Sequence, residues 1–517
     1  MIFQVALLIF ILYILYDRVF LMYYNYWYFK KQGFQPTGFP FPFIGDLLKF
    51  LKVLKHKDEY WDDPQFEYFQ DVFKKDIPPF VIDFRYPRGI LVISDPDFVF
   101  ESYTTKNKYF DRFPRCLQLK QALKRKHLSS AFYKDKMQLQ LNSIISTTFD
   151  IVQETIQQIE QGQDQLDLNE YIGKLVLRAV QICIFGVNEK LETLPYRENG
   201  IIQQLTLGVF MNRLSVDNIK RVASIFRMNF EFLDNYYVGK VEKEVESNNN
   251  TMRRFIIDMI SQRKKKNENL RPEEIHHDFL NLLLQDEIFK DNDSLIADEC
   301  ITFMLASTQS ITSALSNLIF YVTRDQQICT KVRNEISEII GKNIKMSKIT
   351  KEMWTQKLSL DEIQHQWSYL YMVIQENLRI EPPIRKSITQ TVSQDIEIRG
   401  KKIPKGVPIL FHFLIIQRDA NEWPDPLKFI PERFDPASKY FLTAEGKKRK
   451  PASFTPYLGG RRICLGKTFA ENIIKCVAPL IISRLDFELL KTEYRDRKPP
   501  NGTFAEPTYP MKISIYQ

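Results

Sequence analysis

The first thirty positions of the chain are almost entirely hydrophobic or aromatic. Residues 1–16 are apolar apart from one glutamine, Asp17 and Arg18 interrupt the run, and an aromatic-rich stretch follows. Since about 20 residues are needed to cross the core of a bilayer, this pattern predicts an N-terminal transmembrane helix over residues 1–29. Asp17 and Arg18 then lie near the interface, where Tyr and Trp side chains form an aromatic belt. A cleaved secretory signal fits less well, because no positively charged segment precedes the apolar run and no small-residue cleavage site follows it.

The predicted anchor is followed by a basic, proline-containing segment, residues 30–46. It begins with two lysines and contains three prolines. Proline fixes φ and disfavours helix, so the segment is predicted to be a stiff connector between the anchor and the body. The two lysines lie downstream of the apolar run, which favours a body on the cytoplasmic side of the membrane.

The body, residues 47–517, shows helical periodicity far more often than the alternation typical of strands. The clearest helical stretch is 295–322, which is apolar nearly all round, as in a buried helix. Alternation on both sides of a Pro-Arg-Gly turn predicts a β-hairpin within 78–96, and 395–412 predicts a second strand–turn–strand region. The polar stretch 261–274 is predicted to be a surface connection. The pattern as a whole predicts a mainly α fold with small β-sheets attached.

Composition and charge narrow the classes of function. Hydrophobic residues make up 44% of the 517 residues, which is typical of a globular chain. Lys and Arg outnumber the acidic residues by 72 to 63, partly through runs at 264–266 and 447–450. No basic-aromatic motif accompanies these runs, so no nucleic-acid partner is expected. The simplest interpretation of each basic run is a solvated loop. The alternative is that the runs attract an acidic partner or an anionic membrane. The six cysteines contain no CxxC pair, which disfavours a structural zinc site and fits a reducing compartment.

One cysteine stands in an unusual setting, the segment PYLGGRRICLGKTFA. Apolar residues recur every four positions after Cys464, which predicts a helix that begins there. A helix N-terminus favours an anion, and the thiolate is the form of cysteine that binds metals. Gly460 and Gly466 allow unusual backbone dihedrals and the close approach of a flat partner, and Arg462 can bind carboxylates. Together these features describe a pocket for haem, whose iron a cysteine can hold axially.

The same segment closely resembles the cysteine loop of the cytochrome P-450 family, FxxGxRxCxG. The matching positions are Tyr457, Gly460, Arg462, Cys464 and Gly466, with tyrosine in place of the leading phenylalanine. The resemblance covers nearly the whole chain, and it implies one large domain of the cytochrome P-450 fold with haem as cofactor and Cys464 as the iron ligand. A structural cysteine in a turn and a nucleophilic cysteine are the alternatives, although the histidines offer no recognisable base motif for a nucleophile.

Two further motifs match the same family in order along the chain. Glu376 and Arg379 lie one turn apart in ENLR, which resembles the ExxR motif, and Arg433 belongs to a matching PERF. The resemblance implies that these three side chains form a buried network that holds the cysteine loop. Upstream, QALKRKHLSSAF resembles the helix that binds the haem propionates, with Arg125 at the arginine position and Gln121 in place of tryptophan. A solvated ion pair is the alternative for the first motif, and one more surface charge is the alternative for Arg125.

The resemblance breaks inside the predicted helix at 295–322. At this place the family carries a small pair followed by an acid and a threonine, which deliver protons to dioxygen. Here Gln309 replaces the acid and Ser310 replaces the threonine. A glutamine amide can orient water but cannot act as a carboxylic acid, whereas Ser310 keeps a hydroxyl. Gln309 and Ser310 are therefore the candidate catalytic pair, and a bond from the Ser310 hydroxyl back to the preceding helical turn is the structural alternative.

The resemblance implies a microsomal monooxygenase in the endoplasmic reticulum membrane, with its catalytic domain facing the cytoplasm. Such an enzyme takes electrons from an NADPH-dependent flavoprotein reductase and inserts one oxygen atom of dioxygen into a lipophilic substrate. Two alternatives remain open. One is a haem-thiolate isomerase or dehydratase that acts on oxygenated lipids without a reductase, as the replacement at Gln309 suggests. The other is a catalytically silent haem-binding protein.

Overall fold

A computed structural model describes most of the chain. The described residues are 2–55, 63–85, 88–112, 134–186, 193–222, 227, 236–271, 278–341, 344–490 and 509–516. Within them the protein is mainly helical with small sheets, which confirms the predicted fold class.

Helices account for most of the described residues, and their bounds are as follows. They are α1 (Ile2–Leu15), α2 (Leu21–Lys30), α3 (Leu47–Lys55), α4 (Pro64–Val72), α5 (Pro96–Tyr103), α6 (Lys134–Glu160), α7 (Leu168–Phe185), α8 (Leu207–Val222), α9 (Gly239–Glu268), α10 (Phe279–Gln285), α11 (Asp293–Arg324), α12 (Gln326–Ile340), α13 (Lys351–Lys357), α14 (Leu360–His365), α15 (Tyr369–Ile380), α16 (Phe413–Ile416) and α17 (Lys467–Ile482). Short 3₁₀ turns lie at Asn107–Tyr109, Met346–Lys348, Pro431–Phe434, Lys439–Phe441, Pro451–Ser453 and Gly460–Arg462.

The strands are short and form small sheets beside the helical region. They are β1 (Gln35–Pro36), β2 (Phe80–Asp83), β3 (Ile90–Ile93), β4 (Phe110–Arg112), β5 (Gln165–Asp167), β6 (Leu194–Glu198), β7 (Ile201–Leu205), β8 (Gln390–Val392), β9 (Ile396–Ile398), β10 (Lys401–Ile403), β11 (Ile409–Phe411), β12 (Leu485–Leu489) and β13 (Pro510–Ile515). The largest sheet has the order β1-β2-β3-β11-β8-β4, and smaller ones join β9 to β10, β6 to β7, and β12, β13 and β5. The predicted hairpin is confirmed as the antiparallel pair β2 and β3.

The longest helix, α11, runs through the centre of the helical core. It packs against α7, α9, α15 and α17, and every residue from Ile311 to Val322 is buried. A helix that is apolar all round requires neighbours on every side, so the sequence pattern explains why α11 is central. Its N-terminus is capped by Asn292, whose side chain accepts a hydrogen bond from the Leu295 amide at 2.9 Å.

One expectation about local structure was wrong. Residues 261–268 of the stretch predicted to be a surface connection continue α9 as regular helix. Lys, Arg and Glu are good helix formers, and Arg263 and Lys264 pair with Asp278 and Asp293. These contacts stabilise a helix end that has no apolar stripe of its own. The strand–turn–strand prediction for 395–412 is confirmed by the β9–β10 hairpin, and the same region adds a third strand, β11, that pairs in parallel with β3.

The N-terminal apolar stretch is one continuous helical run in which α1 passes through a π-helical turn, Tyr16–Phe20, into α2. Within it, Leu7–Lys30 is long and apolar enough to cross a membrane. The second half of this run packs on the body, because Met22, Tyr26 and Phe29 are buried in a core shared with the largest sheet. Only the first half of the helix projects from the body.

Residues 30–46, expected to be a connector, also contact the body closely. Strand β1 pairs in parallel with β2, and Phe34 is fully buried. The hydroxyl of Thr37 donates to the carboxylate of Asp46 at 2.5 Å. These contacts fix the direction in which the anchor helix leaves the body.

Candidate functional site

The cysteine loop joins a short 3₁₀ turn to the N-terminus of α17. The amide of Cys464 donates to the carbonyl of Tyr457 at 2.8 Å, and the amide of Leu458 donates to that of Thr455 at 3.1 Å. Leu458 has a φ of +64°, a conformation that a branched side chain rarely adopts. The loop therefore closes on itself immediately before Cys464 and places the cysteine three residues ahead of α17.

Gly460 is required by both its backbone conformation and its surroundings. Its φ is +60°, and an added Cβ would lie 2.4 Å from the carbonyl oxygen of Tyr103. The side-chain oxygen of Asn107 accepts a hydrogen bond from the Arg461 amide at 3.1 Å. These contacts press the loop against the end of α5, and no sequence motif pointed to either partner. Gly466 differs from the expectation of unusual dihedrals, because its φ is −87°.

Cys464 differs from the other cysteines in its exposure. Of the five that the structure describes, Cys183, Cys300, Cys329 and Cys476 are buried, whereas Cys464 is exposed. Burial raises the pKa of each of the four buried thiols above its ordinary value. Among the described residues, Cys464 is thus the thiol that a ligand can reach, and it lies near the N-terminus of α17, where the amide groups favour a thiolate.

The structure brings Glu376, Arg379 and Arg433 together in a network with no solvent exposure. Arg379 donates to both carboxylate oxygens of Glu376, at 2.7 and 2.8 Å, and Arg433 donates to one of them at 3.2 Å. The amide of Ile430 adds a fourth hydrogen bond to the carboxylate at 2.9 Å. Each side chain has zero exposed area. Because a buried charge is costly unless it is paired and hydrogen-bonded, each member of the network depends on the others.

The network extends toward the cysteine loop through residues that the motifs did not single out. Trp423 lies between two guanidinium groups, with Arg379 at 5.2 Å and Arg449 at 4.1 Å from its ring. Its ring also contacts Phe454, at 6.2 Å between centroids, and Phe454 directly precedes the loop. Burial and the neighbouring Arg433 lower the pKa of Arg449 to about 10, so this arginine remains charged at neutral pH. The sequence signal that could have found Trp423 is its place in QRDANEWPDPLKFI, the segment directly before PERF.

The polar run of α11 lies where this helix is least buried. Ala306 is exposed and Gln309 and Ser310 are partly exposed, in contrast to the buried turns that follow. The hydroxyl of Ser310 donates to the Ala306 carbonyl at 2.6 Å, which is the structural alternative considered above. On the preceding turn, the Phe303 ring lies 5.3 Å from that of Phe469 in the first turn of α17. The contact sets the polar run beside the helix that follows Cys464.

Two of the predicted haem-binding groups cannot be placed. Arg125 lies outside the described residues, and the side chain of Arg462 is also outside them, although its backbone forms the last residue of the 3₁₀ turn. Tyr457, in contrast, packs partly buried against the helical core. Burial raises the pKa of its hydroxyl, with Glu471 and Cys464 as further causes. The propionate contacts therefore stay a prediction.

The described residues fit a flat iron-bearing group such as haem. Cys464 offers an accessible sulfur, and an added Cβ at Gly466 meets no protein atom within 4 Å. Ala306, on the helix that packs against α17, exposes only a methyl group. A thiol ligand, open space beside it and a small residue on the neighbouring helix are the features that such a group requires.

Comparison with known proteins leads to the same family as the motifs around Cys464. Human cytochrome P450 4F2 is 27% identical over 356 residues, which cover 66% of this chain and 61% of that protein. Rat cytochrome P450 4F5 is 27% identical over 354 residues, and human cytochrome P450 4F3 is 26% identical over 356 residues. The aligned segment thus spans less than two thirds of the length of these relatives. The family model for cytochrome P450 matches residues 36–515, and the chain therefore belongs to the cytochrome P450 family.

Proposed function

We propose that the protein is a membrane-anchored haem-thiolate monooxygenase that inserts one oxygen atom of dioxygen into a lipophilic substrate. The observation that carries this proposal is the accessible Cys464 in a closed loop before α17, within a chain of this family. When haem is bound, a thiolate ligand pushes electron density toward the iron and favours cleavage of the O–O bond. Electrons come from an NADPH-dependent flavoprotein reductase.

The residues of this chain hold the cofactor and control its surroundings. Cys464 ligates the iron, and Arg462 and Arg125 bind the propionates by charge-assisted hydrogen bonds. Tyr457 and Gly460 shape the loop, and Gly466 leaves room for the cofactor. This assignment is supported by the loop contacts and by the open space at Gly466.

The network of Glu376, Arg379 and Arg433 maintains the loop without touching the cofactor. Its three side chains are fully buried, and Trp423 and Phe454 connect them to the loop. A rigid supporting shell keeps a ligand in productive geometry. The network is thus a set of positioning residues.

Gln309 and Ser310 position water and a proton near the reacting oxygen. The Gln309 amide both donates and accepts hydrogen bonds but does not ionise. The Ser310 hydroxyl donates its proton to Ala306, so its oxygen stays available to accept a hydrogen bond from water. Proton delivery then depends on ordered water, and we expect some reducing equivalents to be lost before product forms.

The electron donor docks on the side of the cysteine loop. Arg461 and Lys467 are both exposed there, and they form a basic patch directly flanking Cys464. Complementary charge accelerates association and makes it sensitive to salt. The rate of reduction by the reductase is therefore expected to fall as ionic strength rises, and a rate independent of salt argues against this docking surface.

The site lies at a membrane that holds lipophilic substrates. The N-terminal helix is long and apolar enough to cross a bilayer, and Lys30 and Lys31 at its downstream end favour a catalytic domain on the cytoplasmic face. Together with the resemblance to microsomal enzymes of the family, this anchor leads us to assign the protein to the endoplasmic reticulum membrane.

The decisive experiment supplies the purified full chain with haem, NADPH, a reductase and isotopically labelled dioxygen, together with a lipophilic extract. Label in a product that depends on NADPH is the expected result. Cys464→Ser is the matched control, because it removes the thiolate while it changes one atom. A labelled product from this variant at the rate of the unmodified protein contradicts the proposal.

A second candidate is a haem-thiolate isomerase or dehydratase that acts on oxygenated lipids. The observation in its favour is that Gln309 replaces the acid, while Ser310 donates its hydroxyl to the helix. Such a reaction needs neither a reductase nor proton delivery to dioxygen. Product that forms from a lipid hydroperoxide without NADPH and without label favours this candidate over the first.

A further inference from the structure

An aromatic groove follows the anchor helix from the apolar end to the body. Its volume is about 1,070 Å³, and it is lined on one side by the helix from Leu12 to Gln32 and on the other by Gly400 and Lys402 of the β9–β10 hairpin. None of its lining residues belongs to the candidate haem site, so the groove is a separate surface.

The walls of the groove are unusually apolar for a surface. Phe20, Tyr24 and Trp27 line it and are each more than half exposed, at 57%, 51% and 53%. Large aromatic side chains of this kind collect at the boundary between hydrocarbon and headgroups. The opposite side of the same helix is buried against the body, through Met22 and Phe29. The exposed aromatics thus face outward because the helix is fixed.

The end of the groove nearest the body is basic. Lys31 and Lys402 both line it and are exposed, and neither has an ion-pair partner in the described part of the chain. The neighbouring lysines are engaged elsewhere: Lys30 lies 5.3 Å from the Trp27 ring, and the Lys401 ammonium donates to the carbonyl of Gln32.

Gln32 holds the backbone of Lys402 beside the end of the N-terminal helix. Its side-chain oxygen accepts from the Lys402 amide at 2.6 Å, and its side-chain nitrogen donates to the Lys402 carbonyl at 3.2 Å. This pair of bonds clamps the hairpin to the end of the helix. Lys31 directly follows the last residue of α2, so both lysines lie at one end of an otherwise apolar surface.

We propose that this groove binds one anionic phospholipid, with its acyl chains along the aromatic wall and its phosphate and acidic headgroup between Lys31 and Lys402. The dimensions agree with this occupant. From Leu15 to Lys31 the helix rises about 24 Å, at roughly 1.5 Å per residue, and one leaflet with its headgroups is about 20–23 Å thick. The groove is also continuous with the segment that spans the membrane. Phosphate and carboxylate provide the charge that two lysines require.

The test is photo-crosslinking of the full chain with haem in lipid nanodiscs. The probes are phosphatidylserine and phosphatidylcholine that carry the same diazirine in one acyl chain, each at the same low fraction in unlabelled phosphatidylcholine. Mass spectrometry measures the labelling of residues 12–32. A basic side chain near an anionic surface contributes about 1 kcal/mol, which is about fivefold in affinity. We therefore expect phosphatidylserine to label this segment at least about fivefold more than phosphatidylcholine.

Two double variants distinguish lipid binding at this groove from a general attraction of anionic lipid to the positive charge of the protein. The variant K31Q/K402Q is expected to label equally with both lipids. The control K290Q/K447Q loses the same charge at exposed positions that pair with Glu287 and Glu445, and it is expected to keep the preference. Equal labelling of the unmodified protein, or a preference that survives in K31Q/K402Q, overturns the proposal. Displacement of the lipid by a neutral lipophilic competitor also overturns it, because the groove then binds substrates. The readout does not depend on activity, so failure of the proposed function leaves it unaffected.

Discussion

Replacement of Arg379 by alanine removes the centre of the buried network while leaving the cysteine loop unchanged in sequence. The side chain is fully buried and makes two hydrogen bonds to Glu376 at 2.7 and 2.8 Å. It also donates to the carbonyls of Gln417, Pro426 and Lys428, at 2.8, 2.9 and 3.3 Å. The variant therefore leaves a buried carboxylate with Arg433 as its remaining cation and leaves three carbonyl groups without this donor.

The size of the effect follows from the burial of the pair. Removal of one partner of a buried ion pair costs about 3–5 kcal/mol, because the other charge stays uncompensated. Arg433 stays 3.2 Å from Glu376, so the lower end of this range is expected. A loss of about 3 kcal/mol changes the folding equilibrium by roughly two powers of ten. It is also a large part of the 5–15 kcal/mol that stabilises a typical domain.

The assay measures two quantities on purified protein. One is the amount of haem retained per chain, from the absorption of the ferrous–CO complex that a thiolate ligand produces, and the other is the midpoint of unfolding in urea. We expect R379A to lose most of its haem and to unfold at a lower urea concentration. The matched control is R399A, whose side chain is half exposed and lies 4.0 and 3.5 Å from two surface carboxylates. Such pairs contribute about 0–1 kcal/mol, so R399A should behave like the unmodified protein.

A double variant tests the physical reason directly. If paired charge stabilises the network, then E376Q/R379A should be less stable than R379A alone, because it also leaves the fully buried Arg433 without its carboxylate. Glutamine is nearly the same shape as glutamate, so packing alone predicts equal stability. An R379A protein that keeps full haem occupancy and loses less than about 1 kcal/mol would refute the reasoning. The same conclusion follows if E376Q/R379A is as stable as R379A or more stable, because packing and not charge pairing then dominates.

Three further predictions rest on other contacts. Gly460→Ala should reduce the haem retained per chain, whereas Gly446→Ala, which has a similar φ of +73° but no atom within 4 Å of an added Cβ, should retain it; equal haem loss in both variants would show that backbone strain alone is responsible. Burial lowers the pKa of His412, which lies 3.7 Å from Asp63, below its ordinary 6.5. The unfolded chain then binds more protons between the lowered pKa and 6.5, so the free energy of unfolding should rise with pH across that window. Urea unfolding of the H412Q variant should show a flatter profile there, and an unchanged slope would exclude this histidine as the cause. Ser310→Ala should lower the ratio of product formed to NADPH consumed at unchanged haem content, and Ser310→Thr should restore this ratio. An unchanged ratio in the alanine variant would show that the hydroxyl serves only to bond to its own helix.

The cysteine loop shows which structural features the local sequence predicted. The residues around Cys464 predicted a turn before a helix, and the structure has the 3₁₀ turn Gly460–Arg462 followed by α17. The positive φ of Gly460 also agrees with the expectation for a glycine-rich turn. The contacts that hold the loop from outside were not predictable. Asn107 bonds to Arg461 across 354 positions of sequence, and hydrophobic periodicity carries no information about such a pair.

The surface charge pattern shows the opposite case, in which local reasoning failed. The run of lysines at 264–266 suggested a solvated connection, yet it lies within the helix α9. Helix propensity and two ion pairs to distant carboxylates stabilise this segment. The partners Asp278 and Asp293 lie beyond the helix, so a window along the chain does not include them.

The sequence by itself determined the N-terminal apolar helix, the central position of α11 and the identity of the candidate haem ligand, because periodicity, length and the setting of one cysteine are local properties. Tertiary structure alone decided which charges became buried and which thiol stayed accessible. Glu376 and Arg433 are separated by 57 positions, and their contact exists only because the turn that carries Arg433 packs against α15. The same holds for the groove beside the anchor, where a hairpin some 370 residues away places Lys402 next to Gln32. Contacts of this kind depend on how distant elements pack, and packing is a property of the whole fold.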